Sequence, residues 1–182
     1  RQRSDNRKAA SERRRPFSYI IKHCDERIDV ESEYMDRREL EMTVLMTPDM
    51  ANFSGKVHGG ALLNLLDRVA FSCASRYSGE YAVTLSVDRV VFKEPIAVGE
   101  LVTFRASVNY AGRTSMEIGI RVEAENIRDG TRRHTNSCYF TMVAVDAAGK
   151  PFAIPKLAVD TPMRQRRVDA AIRRRQQARD EG

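Results

Sequence analysis

The 182 residues are enough for one domain with a substantial core, and apolar and charged fractions of 42% and 31% exclude a fibrous or wholly disordered chain. The net charge of +6 is unevenly placed: residues 1–15 carry +5 and residues 161–182 carry +4, leaving −3 for residues 16–160. A uniformly basic nucleic-acid-binding body is therefore excluded, and the basicity belongs to two tails.

Those tails read either as arms for an anionic partner or as a solvated linker and a charged surface helix. Neither has the interleaved aromatics of a single-strand-binding groove, so nucleic acid is not an expected partner. Cys24, Cys73 and Cys138 are odd in number and unclustered, which argues against a disulfide framework or a structural zinc site and for a reducing compartment. The most apolar stretch, 61–74, is broken by Asn64, Asp67, Arg68 and Ser72, so no membrane span is expected. The first residues lack the apolar core of a secretory signal. A soluble, cytoplasmic protein is the expectation.

Residues 1–15 read as a basic arm, and 16–38 as a lead-in with a short apolar cluster, Phe17 to Ile21, and no assignable element. Leu40, Met42, Val44 and Met46 alternate and predict a strand over 40–47, stopped by Pro48 and Asp49. Gly59 and Gly60 open a helix predicted over 58–77. At about 100° per residue, Leu62, Leu66, Val69 and Cys73 share one face, the pattern of a largely buried helix. A turn follows at Tyr77–Glu80. A strand is predicted over 82–92, with Val83, Leu85 and Val87 set against Thr84, Ser86 and Asp88. Further strands fall over 101–110, 115–125 and 134–146, separated by Ala111–Thr114 and by Asp129-Gly130. Thr161 and Pro162 suit the cap and first turn of a final helix over 162–179, whose only apolar contacts are Met163, Val168, Ala171 and Ile172. That helix is expected to pack loosely on the surface or against another subunit.

One strand, one long helix and four strands joined by short turns make an α+β domain over residues 39–160: an antiparallel sheet curled around the helix. The exposed edges of such a sheet favour a dimer with a continuous sheet.

Several common sites are missing. The chain has no GxSxG, GxxxxGK[ST], GxGxxG or HExxH pattern, and His23, His58 and His134 have no ligand spacing, so no metal site is expected. What remains is Asn52 to Asp67, NFSGKVHGGALLNLLD. Asp67 falls on the border of the apolar arc, where a partly desolvated carboxylate can act as a base. Pairing with Arg68 or Arg76, or plain solvation, accounts for it equally. His58-Gly59-Gly60 at a helix start can offer free amides to a phosphate or an oxyanion, or can be a turn needed only for close packing. Along one helix, His58 and Asp67 lie roughly 13 Å apart. Both can serve one small reacting centre only if a two-fold partner brings one chain's helix start to the other chain's Asp67.

The pattern Asn52-x-x-Gly55-x-x-His58-Gly59-Gly60, with Asp67 beyond it, resembles the hotdog-fold acyl-CoA thioesterases, most nearly the YciA and brain-type cytosolic acyl-CoA hydrolases. The likeness runs over roughly 40–160 and includes VDRVVFKEPIAVGELV, GRTSMEIGIRVEAEN and YFTMVAVDAAGKP. It implies a hotdog domain paired as a double-hotdog dimer, often as a trimer of dimers, that hydrolyses acyl-CoA without metal or cofactor, coenzyme A being part of the substrate. It implies that Asp67 activates water or attacks the thioester carbonyl, that Asn52 of the partner orients the water or the carbonyl, and that the Gly60 amide polarises the thioester oxygen. His58 and Gly59 belong to the same substrate-binding turn. The pantetheine is implied to run by Thr84, Ser86 and Val87, and the CoA phosphates to meet Arg113 and Ser115. The phenylacetyl-CoA branch shares the motif, and a non-catalytic acyl-CoA-binding regulator is a further alternative. Lys56 stands where some relatives carry an acid or Asn, a difference that bears on substrate preference.

Overall fold

The structure, a computed structural model, describes residues 36–88 and 90–180. The basic arm, with His23 and Cys24 beyond it, lies outside the described residues.

The sequence periodicities become a single sheet. Its strands are β1 (Glu39–Leu45), β2 (Tyr81–Val87), β3 (Leu101–Ala111), β4 (Ser115–Glu125) and β5 (Arg132–Val145), all paired antiparallel in the order β1-β3-β4-β5-β2. Helix α1 (Gly59–Ser78) lies in the concave face. Gly79 ends it in the left-handed conformation at φ 78°, returning its amide to the Ser75 carbonyl, a geometry glycine adopts without strain. The expected face of Leu62, Leu66, Val69 and Cys73 is buried, and so are Leu65, Ala70, Ala74 and Tyr77. The stripe is wider than the periodicity predicted because a curled sheet meets the helix on three sides. Its other wall is Val102, Phe104 and Ala106 of β3, Met116, Ile118, Ile120 and Val122 of β4, and Cys138, Phe140 and Met142 of β5.

Two strands stop well short of their sequence-based limits. β1 ends at Leu45, because Met46 turns inward, 1% exposed, and exchanges backbone hydrogen bonds with Gly99 and Glu100. The strand predicted over 82–92 stops at Val87, and within it the pairing with β5 slips between Thr84 and Ser86, leaving Leu85 unmatched. A bulge resets the two-residue alternation. Thr84 stands opposite Met142, and Val87 opposite Phe140, both core-facing residues, whereas Ser86 stands opposite Thr141. The alternation that groups Thr84 with Ser86 is therefore corrected.

Helix α2 (Pro162–Asp180) begins as predicted, with the Thr161 hydroxyl accepting from the Arg164 amide at 3.2 Å. It is not loosely packed. Ala171 is its one fully buried residue, and arginines do the fastening. Arg164 pairs with Asp36 and Asp160, Arg167 with Glu39, and Arg174 with Glu117. A helix with too few apolar contacts is held instead by guanidinium forks that match carboxylates. Among the described residues no helix is long and apolar enough to cross a membrane.

Asp36 ties the start of α2 to the strand region. Both its carboxylate oxygens accept from Arg38, each at 2.7 Å, which holds its carboxyl down to about 2 against burial. A depressed acid contributes stability above its unfolded value, near 3.8, and loses that contribution as pH falls through about 2. The stability difference between the wild type and Asp36→Asn, followed by denaturant unfolding across pH, should be constant above about pH 5, shrink as pH falls, and level off only below about pH 2.

Candidate functional site

The Asn52–Gly60 segment is a tied loop leading into α1. The Asn52 Oδ1 accepts from the Ser54 amide at 2.9 Å, the Ser54 hydroxyl at 2.7 Å and the Lys56 amide at 3.1 Å. Gly55, at φ 73°, makes the reversal possible, and the His58 amide closes the loop on the Met50 carbonyl at 2.8 Å. With its oxygen committed to the turn, Asn52 has only its NH2 group to offer another molecule. Phe53, at the tip, is fully exposed.

His58 is the N-cap of α1. Its Nδ1 accepts from the Gly60 amide at 2.9 Å. The amide expected to face a thioester oxygen is thus already engaged, while among the described residues nothing accepts from the Gly59 amide. The first turn of a helix keeps spare donors and the positive end of its dipole, so the donor left open at this end is the Gly59 amide. The Phe92 ring stands 3.5 Å from where a Gly59 Cβ would sit. Phe92 carries no motif signal, and its approach to Gly59 was not legible in the sequence.

Asp67 lies on the open side of α1, exposed within the chain. The expected desolvation has no source in a single chain, and among the described residues neither Arg68 nor Arg76 pairs with it. It has a different partner: the Thr84 hydroxyl donates to Asp67 Oδ1 at 2.6 Å, with Met142 Sδ 3.5 Å behind the hydroxyl. The bulge at Leu85 leaves Thr84 facing the helix. Val87 shares that side of β2, and Ser86 is turned to the other. Arg113, exposed, and Ser115 lie on the β3–β4 turn, at the end of the sheet where Ser115 pairs with Val143, next to the Met116–Met142–Thr84 row.

One chain therefore joins Asp67, midway along α1, to Thr84 by a hydrogen bond, with Val87 further along the same side of β2, and gathers Asn52, His58, Gly59 and Gly60 at the start of α1. It does not join the two groups. Edge strand β2 exposes Tyr81, Val83, Leu85 and Val87 by 41–69%, and α1 exposes Leu63 by 40%. Apolar side chains beside an unpaired strand edge are the kind of surface through which proteins associate. Among the described residues no cluster of three or more His, Cys, Asp or Glu side chains could hold a metal ion.

Residues 54–131 match the thioesterase superfamily. Protein VdlD of Helicobacter pylori is 51% identical over 154 residues, 85% of this chain and 86% of its own length. The chain belongs to the thioesterase superfamily. Its hotdog fold is that of an apo-hexameric acyl-CoA thioesterase, 33% identical, with a TM-score of 0.76 over 80% of this chain and 93% of the other. A Staphylococcus aureus acyl-CoA hydrolase in complex with butyryl coenzyme A, coenzyme A and coenzyme A disulfide is 28% identical, with a TM-score of 0.72 over 80% and 90%. Structures of that hydrolase also exist with an asparagine, an aspartate or a threonine changed to alanine.

In this hotdog thioesterase the His58 cap is open to a direct test. Its replacement by Ala should cost about 0.5–2 kcal/mol, the usual loss for a helix cap, measured as a lowered denaturant midpoint. The Gly60 amide protons should exchange faster in the variant.

Proposed function

We propose that this hotdog thioesterase hydrolyses acyl-CoA to a free acid and CoA, in sites each made from two subunits, with Asp67 as the base. The carrying observation is the Asp67–Thr84 hydrogen bond, which fixes a carboxylate on the open face of α1. The amides that would stabilise an oxyanion lie roughly 13 Å away along the same helix. A two-fold partner seated on the apolar β2–α1 face places one chain's helix start at the other chain's Asp67. The same contact removes water from around Asp67.

The spacing of the altered residues in the Staphylococcus aureus hydrolase supports the assignment. Its asparagine, aspartate and threonine follow one another at intervals of 15 and 17 residues, the intervals between Asn52, Asp67 and Thr84 here. The position of Thr84 thus acquires a role in orienting Asp67, beyond the pantetheine contact the family likeness implied.

In this mechanism Asp67 takes a proton from a water held also by the Asn52 NH2 group of the partner. The water oxygen bonds to the thioester carbon, and the carbonyl π electrons move to oxygen. The Gly59 amide and the helix dipole stabilise that oxyanion, joined by the Gly60 amide when the His58 ring turns away. Collapse breaks the carbon–sulfur bond, and the CoA thiolate leaves with the proton Asp67 had taken. Side chains, backbone and water suffice on this reading, with no cofactor. Val87 and Thr84 border the pantetheine, and Arg113 and Ser115 supply polar groups for the phosphates. A dimer through β2, repeated three-fold, is the assembly proposed for the chain.

Asp67→Asn should lower kcat for acyl-CoA hydrolysis by about 10²–10⁴, the usual contribution of a positioned base, and release of thiol reports it. Wild-type turnover in this variant would sink the assignment. Subunit sharing has its own test. Asp67→Asn and Asn52→Ala chains, each inactive alone, should regain activity when mixed, because one site of a heterodimer is intact. Proven subunit exchange without regained activity would exclude shared sites.

A further inference from the structure

The convex face of the sheet holds a polar assembly for which hydrolysis has no direct use. Glu117 of β4 is 3% exposed, a rare setting for a carboxylate unless it is paired. Arg174 of α2 meets it with two nitrogens, Nη2 at 2.5 Å from Oε1 and Nε at 3.2 Å from Oε2. The Asn109 Nδ2 donates to the same carboxylate at 3.3 Å, and the Ser107 hydroxyl steadies Asn109 at 2.9 Å. Asn109 reaches Glu117 by lying across Gly119, where a Cβ would come within 2.2 Å of its amide nitrogen. Glycine at 119 leaves room for this crossing.

The Arg174 guanidinium carbon also lies over the Tyr139 ring of β5, 3.6 Å from its centroid. The Tyr139 carbonyl accepts from the Asp88 amide at 2.9 Å. Asp88 is the residue at which β2 leaves the sheet. Its carboxyl is held above the usual range by burial and by the Glu117 charge, with Arg174 opposing. Beyond this bond, the next backbone tie of the segment to β5 among the described residues is at Lys93. β2 is an edge strand, already interrupted by a bulge. Its far end depends on the residue that Arg174 covers.

A buried ion pair costs desolvation that an apolar pair of similar volume would avoid. Docking α2 alone does not require Arg at 174. A planar cation able to pair with Glu117 and stack on Tyr139 together does require it. We infer that Arg174 is a positioning residue for the acyl-CoA site. Its grip on Glu117 and Tyr139 fixes the end of β2, and thereby Val87 and Thr84, in the register that substrate binding needs. This rests on the reading of β2 as the strand that borders the CoA thioester.

Arg174→Met should raise both the KM for acyl-CoA and the Kd for CoA about tenfold, with kcat changed less than threefold. Arg174→Lys keeps a cation near Glu117 without a flat stack and should fall between. In Glu117→Gln/Arg174→Met, which leaves no orphaned charge, Tm should recover while Kd stays high. A lowered Tm in Arg174→Met with wild-type KM and Kd would overturn the inference, as would recovery of Kd in the double variant. If Arg174→Met does not fold, Arg174→Lys decides by the same measurements, and wild-type values there count against it. A wild-type chain that binds no CoA overturns the site reading and this inference together, whereas wild-type binding unchanged in Arg174→Met overturns this inference alone.

Discussion

Burial of α1 in the curled sheet is the constraint on which the other features depend. Leu62, Leu66, Val69, Ala70, Cys73 and Ala74 are all at most 3% exposed, so neither the axis nor the rotation of the helix can change without opening the core. With the rotation fixed, the face that remains open is fixed too, and it carries Asp67. The direction is fixed by the same packing, so the amide-rich end of the helix and the carboxylate point to two separate places. On the proposed reading, this geometry is what calls for a second chain.

The polar groups along that open face are already in use. Asn52 spends its oxygen on its own turn, and His58 spends its Nδ1 on Gly60. Each leaves one complementary group free, the Asn52 NH2 and the Gly59 amide. Under the proposed function, this local satisfaction is preorganisation, because it leaves outward only the groups assigned to the substrate. Thr84 does the same for Asp67, engaging one carboxylate oxygen and leaving the other.

The sequence carried much of this through repetition. β4 was legible to the residue, because Met116, Ile118, Ile120 and Val122 alternate without interruption and turn residues bound the strand. The start of α2 was legible because Thr161 and Pro162 act locally. The carboxylate and the glycine turn were legible as candidates, through spacing and likeness to a family. What escaped depends on distance. Nothing near Leu85 signals a bulge, which arises from pairing with β5 and moves Ser86 off the face assigned to it. The Thr84–Asp67 contact spans 17 residues, and Arg174 meets Glu117 across 57. A charge-rich terminal helix read as loosely attached because apolar residues were counted, whereas its attachment is by guanidinium groups.

That mode of attachment is uneven along α2. Near its start, Asp160 and Glu39 are half-open to solvent, with side-chain exposures of 51% and 44%, and dissolved ions weaken such pairs over about 8–10 Å. Near its middle, Glu117 is closed to solvent and the pair is shielded from ions. The helix is therefore fastened by contacts of unequal exposure: dissolved ions reach Asp160 and Glu39 more readily than Asp36, and Asp36 more readily than Glu117, whose side chain is 3% exposed.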